Sequence, residues 1–167
     1  MPHPTCKTAI LACLALCGAA AFGPAQAAAW DSSYNMGTLA VGVATPEKAR
    51  LTFYCGDSAA ARANPAIKGG PYLEVSLPKA AGLEKATSLA LVIDGKETAI
   101  PVSAKPNIDS VSLNWEPGRS FGTRQMKGVV SRIAKAKAIA VKAAGASFPL
   151  PVEAAAQALD GDPLGCK

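Results

Sequence analysis

Six stretches of the chain place apolar and polar residues as strands do, several with a clear period of two: Thr38 to Ala44, Arg50 to Cys55, Tyr72 to Leu77, Ser88 to Asp94, Thr98 to Ser103 and Ile108 to Trp115. Leu73, Val75 and Leu77 are expected to face a core, with Tyr72, Glu74 and Ser76 outward. The same split sets Leu51, Phe53 and Cys55 against Thr52 and Tyr54. Asp94-Gly95 separates two such runs and predicts a tight hairpin, because glycine tolerates the positive φ of that turn. Pro101 donates no ladder hydrogen bond, so the returning strand is expected at a sheet edge.

Beyond Trp115 the period changes. Met126, Val129, Val130 and Ile133 fall within about a 100° arc of a helical wheel, opposite Arg124, Lys127, Arg132 and Lys135, which predicts a short amphipathic helix. Alternation returns at Ile139 and Val141, a glycine-containing turn is expected over Ala143 to Ala146, and Phe148 with Leu150 forms the partner strand. Val152 to Leu159 reads as a last short helix ended by Gly161 and Pro163. About eight short strands and two helices predict a mainly β, antiparallel, sandwich-like fold, with α+β as the alternative.

The N-terminus has the layout of a secretory signal: Lys7, an apolar run from Ala9 to Phe22, a Gly23-Pro24 breaker and Ala25-Gln26-Ala27 as an Ala-x-Ala cleavage site. Residues 1–27 are therefore expected to be removed, leaving one exported domain over residues 28–167 in the periplasm or outside the cell. The run falls short of the roughly 20 residues that span a bilayer. Removal takes Lys7, Cys6, Cys13, Cys17 and the one histidine, His3. From 17 basic and 12 acidic residues, the mature chain keeps a net charge of about +4. Its 140 residues suit one domain with one core. Cys55 and Cys166 remain, and an even count in an exported chain favours a structural disulfide.

An early strand carrying Cys55 is followed by the run Leu89-Ala90-Leu91-Val92-Ile93-Asp94-Gly95-Lys96, a short basic helix, the Ile139/Val141 strand, and Phe148-Pro149-Leu150 before an alanine-rich helix. This order resembles small exported bacterial proteins of the invasion-associated locus B type over residues 48 to 160. The resemblance implies a non-enzymatic periplasmic β-domain linked to envelope or host interaction.

Without a histidine, the mature chain offers no Ser-His-Asp or Cys-His catalysis, no His-ligated zinc, and no base that titrates near neutrality without a large shift. No phosphate-binding glycine loop occurs, and no cofactor or metal is implied. Ser76-Leu77-Pro78-Lys79 matches Ser-x-x-Lys formally, yet that motif needs a helix and here a strand runs into Pro78. Asp94, Glu97, Asp109 and Glu116 could supply a carboxylate pair for glycan hydrolysis, the alternative function, but solvated turn residues explain them better. Asp160-Gly161-Asp162 lacks the alternating ligands and closing glutamate of a calcium loop. Trp115, at the end of an alternating strand, is expected in the core, whereas Trp30 has no clear place.

Charge is the uneven feature. Between Pro117 and Val152 no acid occurs, while Arg119, Arg124, Lys127, Arg132, Lys135, Lys137 and Lys142 supply +7. The chain is therefore expected to be a non-catalytic binding or accessory domain. This basic surface would engage an envelope component or protein partner, and an anionic one would match its charge. Nucleic acid is not expected outside the cytoplasm, and the helix is too short and too poor in aromatics for stable membrane insertion. The bland reading is that these cations are solvated and cover apolar surface with their stems.

Overall fold

The structure, a computed structural model, describes residues 28–35, 37–56 and 71–166. The leader expected over residues 1–27 lies outside the described residues. In chain order the strands are β1 (Asp31–Asn35), β2 (Thr38–Ala44), β3 (Arg50–Gly56), β4 (Tyr72–Pro78), β5 (Ser88–Ile93), β6 (Lys96–Pro101), β7 (Ser103–Pro106), β8 (Ser110–Trp115), β9 (Ile139–Ala143) and β10 (Ala146–Leu150). Helix α1 (Thr123–Ile133) joins β8 to β9, and α2 (Ala155–Leu159) follows β10. All pairings are antiparallel, in a six-stranded sheet ordered β1-β2-β3-β4-β8-β7 and a four-stranded sheet ordered β10-β9-β5-β6.

Alternation sets the core. Register aligns Val41, Phe53, Leu73 and Trp115 in one row across four strands, and Val43, Leu51, Val75 and Leu113 in the next. All eight are buried. From the second sheet Leu91 meets Val141, Ile93 meets Ile139, and Leu89 meets Ile100. These rows and the buried face of α1 form a single apolar cluster, so the two sheets share one sandwich-like core. Full burial of each such side chain is worth about 2 kcal/mol. Trp115 belongs to this core, its Nε1 donating to the Phe121 carbonyl at 3.1 Å. Trp30 belongs to it too: its ring stacks on Phe53 and its Nε1 donates to the Pro151 carbonyl at 2.9 Å.

Both hairpin turns form. Asp94 and Gly95 take positive φ between β5 and β6, as do Ala144 and Gly145 between β9 and β10. The disulfide joins Cys55 on β3 to Cys166, across 111 residues, with a Cα separation of 5.2 Å.

Several sequence expectations are corrected. Thr98 to Ser103 is not one strand: β6 ends at Pro101, the Val102 N–H bonds the Thr87 carbonyl, and the chain crosses to the other sheet as β7. Strand β1 has no apolar alternation because all five residues are exposed on an edge. Ten strands among the described residues therefore replace eight. Ile108 stands 89% exposed in the turn before β8 rather than within it. Helix α2 starts at Ala155, not Val152, because Ala154 adopts φ 61 and the Glu153 carboxylate takes the Val152 N–H.

Each sheet edge carries an obstacle to further pairing. Pro101 on β6, Pro106 on β7 and Pro149 on β10 lack the donor a new strand would need. On β1 the Asp31 carboxylate accepts the Ser32 N–H at 2.7 Å, which occupies an edge donor and adds charge.

Candidate functional site

Helix α1 forms because its apolar residues recur on one face and proline is absent from its span. Gly122 is its N-cap, where the Gln125 side chain reaches back to accept the Gly122 N–H at 3.0 Å. Met126, Val129, Val130 and Ile133 enter the core, and the opposite face carries the cations. Helix α2, anchored by Ala155 and Leu159, lies beside α1. Between them runs a groove of about 390 Å³. Val130 and Leu159 contribute to its floor, Lys127 and Lys135 lie on the α1 side, and Asp160 and Asp162 on the α2 side.

The structure divides the seven basic residues. Lys127 pairs with Asp162 at 2.8 Å, Arg132 donates to the Thr98 hydroxyl, and Lys142 pairs with Glu97. Lys142 also leaves the group in space. Its neighbour Val141 points into the core, so Lys142 projects from the outer face of the four-stranded sheet, reaching over β5 to Glu97 on β6. Arg119, Arg124, Lys135 and Lys137 have no side-chain partner among the described residues, and all four are exposed. They lie on α1 or in its flanking segments. Arg124 opens α1 and Lys135 follows its C-cap, Ala134, so the exposed cations flank both ends of the helix.

The candidate carboxylates have structural partners where their contacts are seen. One Asp94 oxygen accepts the backbone N–H groups of Lys137 and Ala138, which ties the β5–β6 hairpin to the segment after α1. Glu97 holds Lys142, Asp109 is exposed between β7 and β8, and Glu116 also has an interaction partner. Ser76 lies in a strand that ends at Pro78, without the helix that a Ser-x-x-Lys motif requires. Among the described residues no group of three or more His, Cys, Asp or Glu side chains is placed to hold a metal ion. No helix among them is long and apolar enough to cross a membrane.

Sequence reading missed a second polar cluster, on the outer face of the six-stranded sheet. Register sets Tyr54 beside Tyr72, and their rings stack with centroids 4.7 Å apart. Next to them Glu74 accepts the Ser112 hydroxyl at 2.8 Å, and Ser112 accepts the Asn107 side-chain amide at 3.0 Å. Burial, then the neighbouring Tyr54 and Glu74, push the Tyr72 hydroxyl up to about 12. Tyr54 is raised as well, first by burial and then by Glu74. Alternation marked these side chains as outward; only strand register shows that the two tyrosines meet.

Comparison with known proteins gives one family. The family model YfjT matches residues 28–159, which takes in both sheets and both helices. The chain belongs to the YfjT family. No curated protein and no solved structure gives a significant match. In this YfjT-family chain the two-helix side combines exposed cations that have no side-chain partner among the described residues with a groove between the helices.

Proposed function

We propose that this YfjT-family chain is a non-catalytic, exported binding domain. The cations around α1 engage an anionic envelope component or an acidic patch on a protein partner. The observation that carries this reading is the set of four exposed cations without a side-chain partner among the described residues: Arg124 on α1, and Arg119, Lys135 and Lys137 in the segments that flank it. Asp162 and Glu97 neutralise Lys127 and Lys142, and Arg132 is half-buried with its guanidinium held on the Thr98 hydroxyl, which narrows the surface from seven residues to four. Export is supported by the Cys55–Cys166 bridge, since disulfides persist in oxidising compartments. It also accords with a family match that begins at residue 28, next to the expected cleavage site. The likeness to the invasion-associated locus B type enters here as the source of the envelope role.

The test is salt-dependent retention on an anionic matrix and on envelope extract. Arg124→Glu with Lys135→Glu should abolish retention at low salt, while Lys142→Glu should leave most of it, because Lys142 projects from a different face. Equal loss from both variants would show that net charge alone drives binding and would overturn the assignment of the surface.

A further inference from the structure

We propose that the groove between α1 and α2 receives a second copy of this chain, related by a two-fold axis running along the groove. The two rims carry opposite charge: Lys127 and Lys135 on the α1 side, Asp160 and Asp162 on the α2 side. Lys127 and Asp162 bridge the rims within one molecule, whereas Lys135 and Asp160 have no partner among the described residues. A two-fold axis along the groove turns each basic rim onto the acidic rim of the other copy, so Lys135 of each chain faces Asp160 of the other. An axis across the groove would instead set like charges against each other. The charge pattern is thus complementary to itself in one orientation, as an isologous interface requires.

Ala134 and Ala156 line the groove beneath the rims, over the buried Val130 and Leu159, and the obstructed strand edges disfavour association by strand addition. Exposed ion pairs add little each, so the pairing is weak and salt-sensitive, with a dissociation constant of about 10 µM to 1 mM. Lys135 belongs to both surfaces, whereas Arg124 lies outside the rims and Asp160 outside the cationic set, so Arg124→Glu and Asp160→Lys test the two readings apart.

Sedimentation equilibrium of the purified, disulfide-bonded chain from about 1 µM to about 1 mM provides the test. The expected result is a mass rising toward that of a dimer at low salt and less so at high salt. With Lys127 and Asp162 paired internally, Lys135→Glu makes both remaining rim charges acidic and Asp160→Lys makes both basic, so each variant alone should raise the dissociation constant at least about tenfold. An equimolar mixture of the two should pair, and the double variant should self-associate again. Near-ultraviolet circular dichroism confirms that each variant is folded. A monomer throughout the range, or a dimer indifferent to these charge changes, overturns the proposal.

Discussion

Asp94 and Lys137 lie 43 residues apart in sequence, yet one Asp94 carboxylate oxygen accepts the Lys137 backbone N–H at 2.9 Å and that of Ala138 at 3.0 Å. The Asp94 N–H returns a bond to the Ala138 carbonyl at 3.0 Å. A hairpin turn thereby fixes the chain where it leaves α1 and enters β9, and with it the position of two exposed cations, Lys135 and Lys137. One of the four carboxylates that could supply an acid thus serves as a clamp.

Asp94→Ala removes both charge-assisted bonds and places alanine at φ 49, so a loss of about 2 kcal/mol is expected. Asp94→Asn keeps a carbonyl acceptor and tolerates the left-handed turn, and should cost less than half as much. Urea unfolding midpoints of the two variants check this. Equal losses would mean that the carboxylate charge, rather than the turn and its acceptor, holds the segment.

Gly128 occupies the interior of α1 on its exposed face, and a Cβ added there meets nothing within 4 Å. Glycine at such a site gives up more backbone entropy than alanine on folding. Gly128→Ala should therefore stabilise the domain by about 0.5 to 1 kcal/mol, read as a higher denaturation midpoint. Binding to an anionic matrix should be unchanged, because no charge moves. A stability loss instead would show that the helix needs glycine there for a reason other than space.

Strands β3, β4, β5, β8 and β9 were legible because each buries one face, so burial writes its period into the sequence. Strand β1 was not, since Asp31 to Asn35 are all exposed and their pairing to β2 leaves no apolar period in the sequence. The break at Val102 was hidden for a related reason: Pro101 and Ser103 keep the alternation while the chain changes sheets. At the helices, the pattern revealed which face of α1 carries cations. It could not reveal that Lys127 and Lys142 meet acids 35 and 45 residues away in sequence, because tertiary proximity leaves no local trace. The groove, which needs α2 beside α1, was invisible for the same reason.

Removing the bridge with Cys55→Ala and Cys166→Ala frees a segment whose Pro163 and Leu164 are buried and whose Asp162 holds Lys127. Closing so long a loop restricts the unfolded chain, and the expected loss is about 3 to 4 kcal/mol. Unfolding with and without reductant measures it. Because the acidic rim of the groove lies in this segment, the double variant should also lose concentration-dependent association before it loses secondary structure. Simultaneous loss of both would place the segment within the cooperative core instead.

The Tyr54–Tyr72 pair predicts an alkaline limit to stability. Burial, followed by Tyr54 and then Glu74, raises Tyr72 from 10.0 to about 12. The folded chain therefore keeps this proton over a range where the unfolded chain has released it. Its contribution is fully present below about pH 10 and is lost as pH rises toward 12, since stability falls wherever the native state binds more protons. Tyr72→Phe removes the group and should flatten the decline in unfolding free energy over that interval. Glu74→Gln should lower the Tyr72 midpoint only part of the way, because burial is the larger cause. Ultraviolet difference titration of the folded protein reads the midpoint directly. A Tyr72 transition close to 10 would mean that water reaches the stacked pair and that the outer face of the six-stranded sheet is more open than its packing implies.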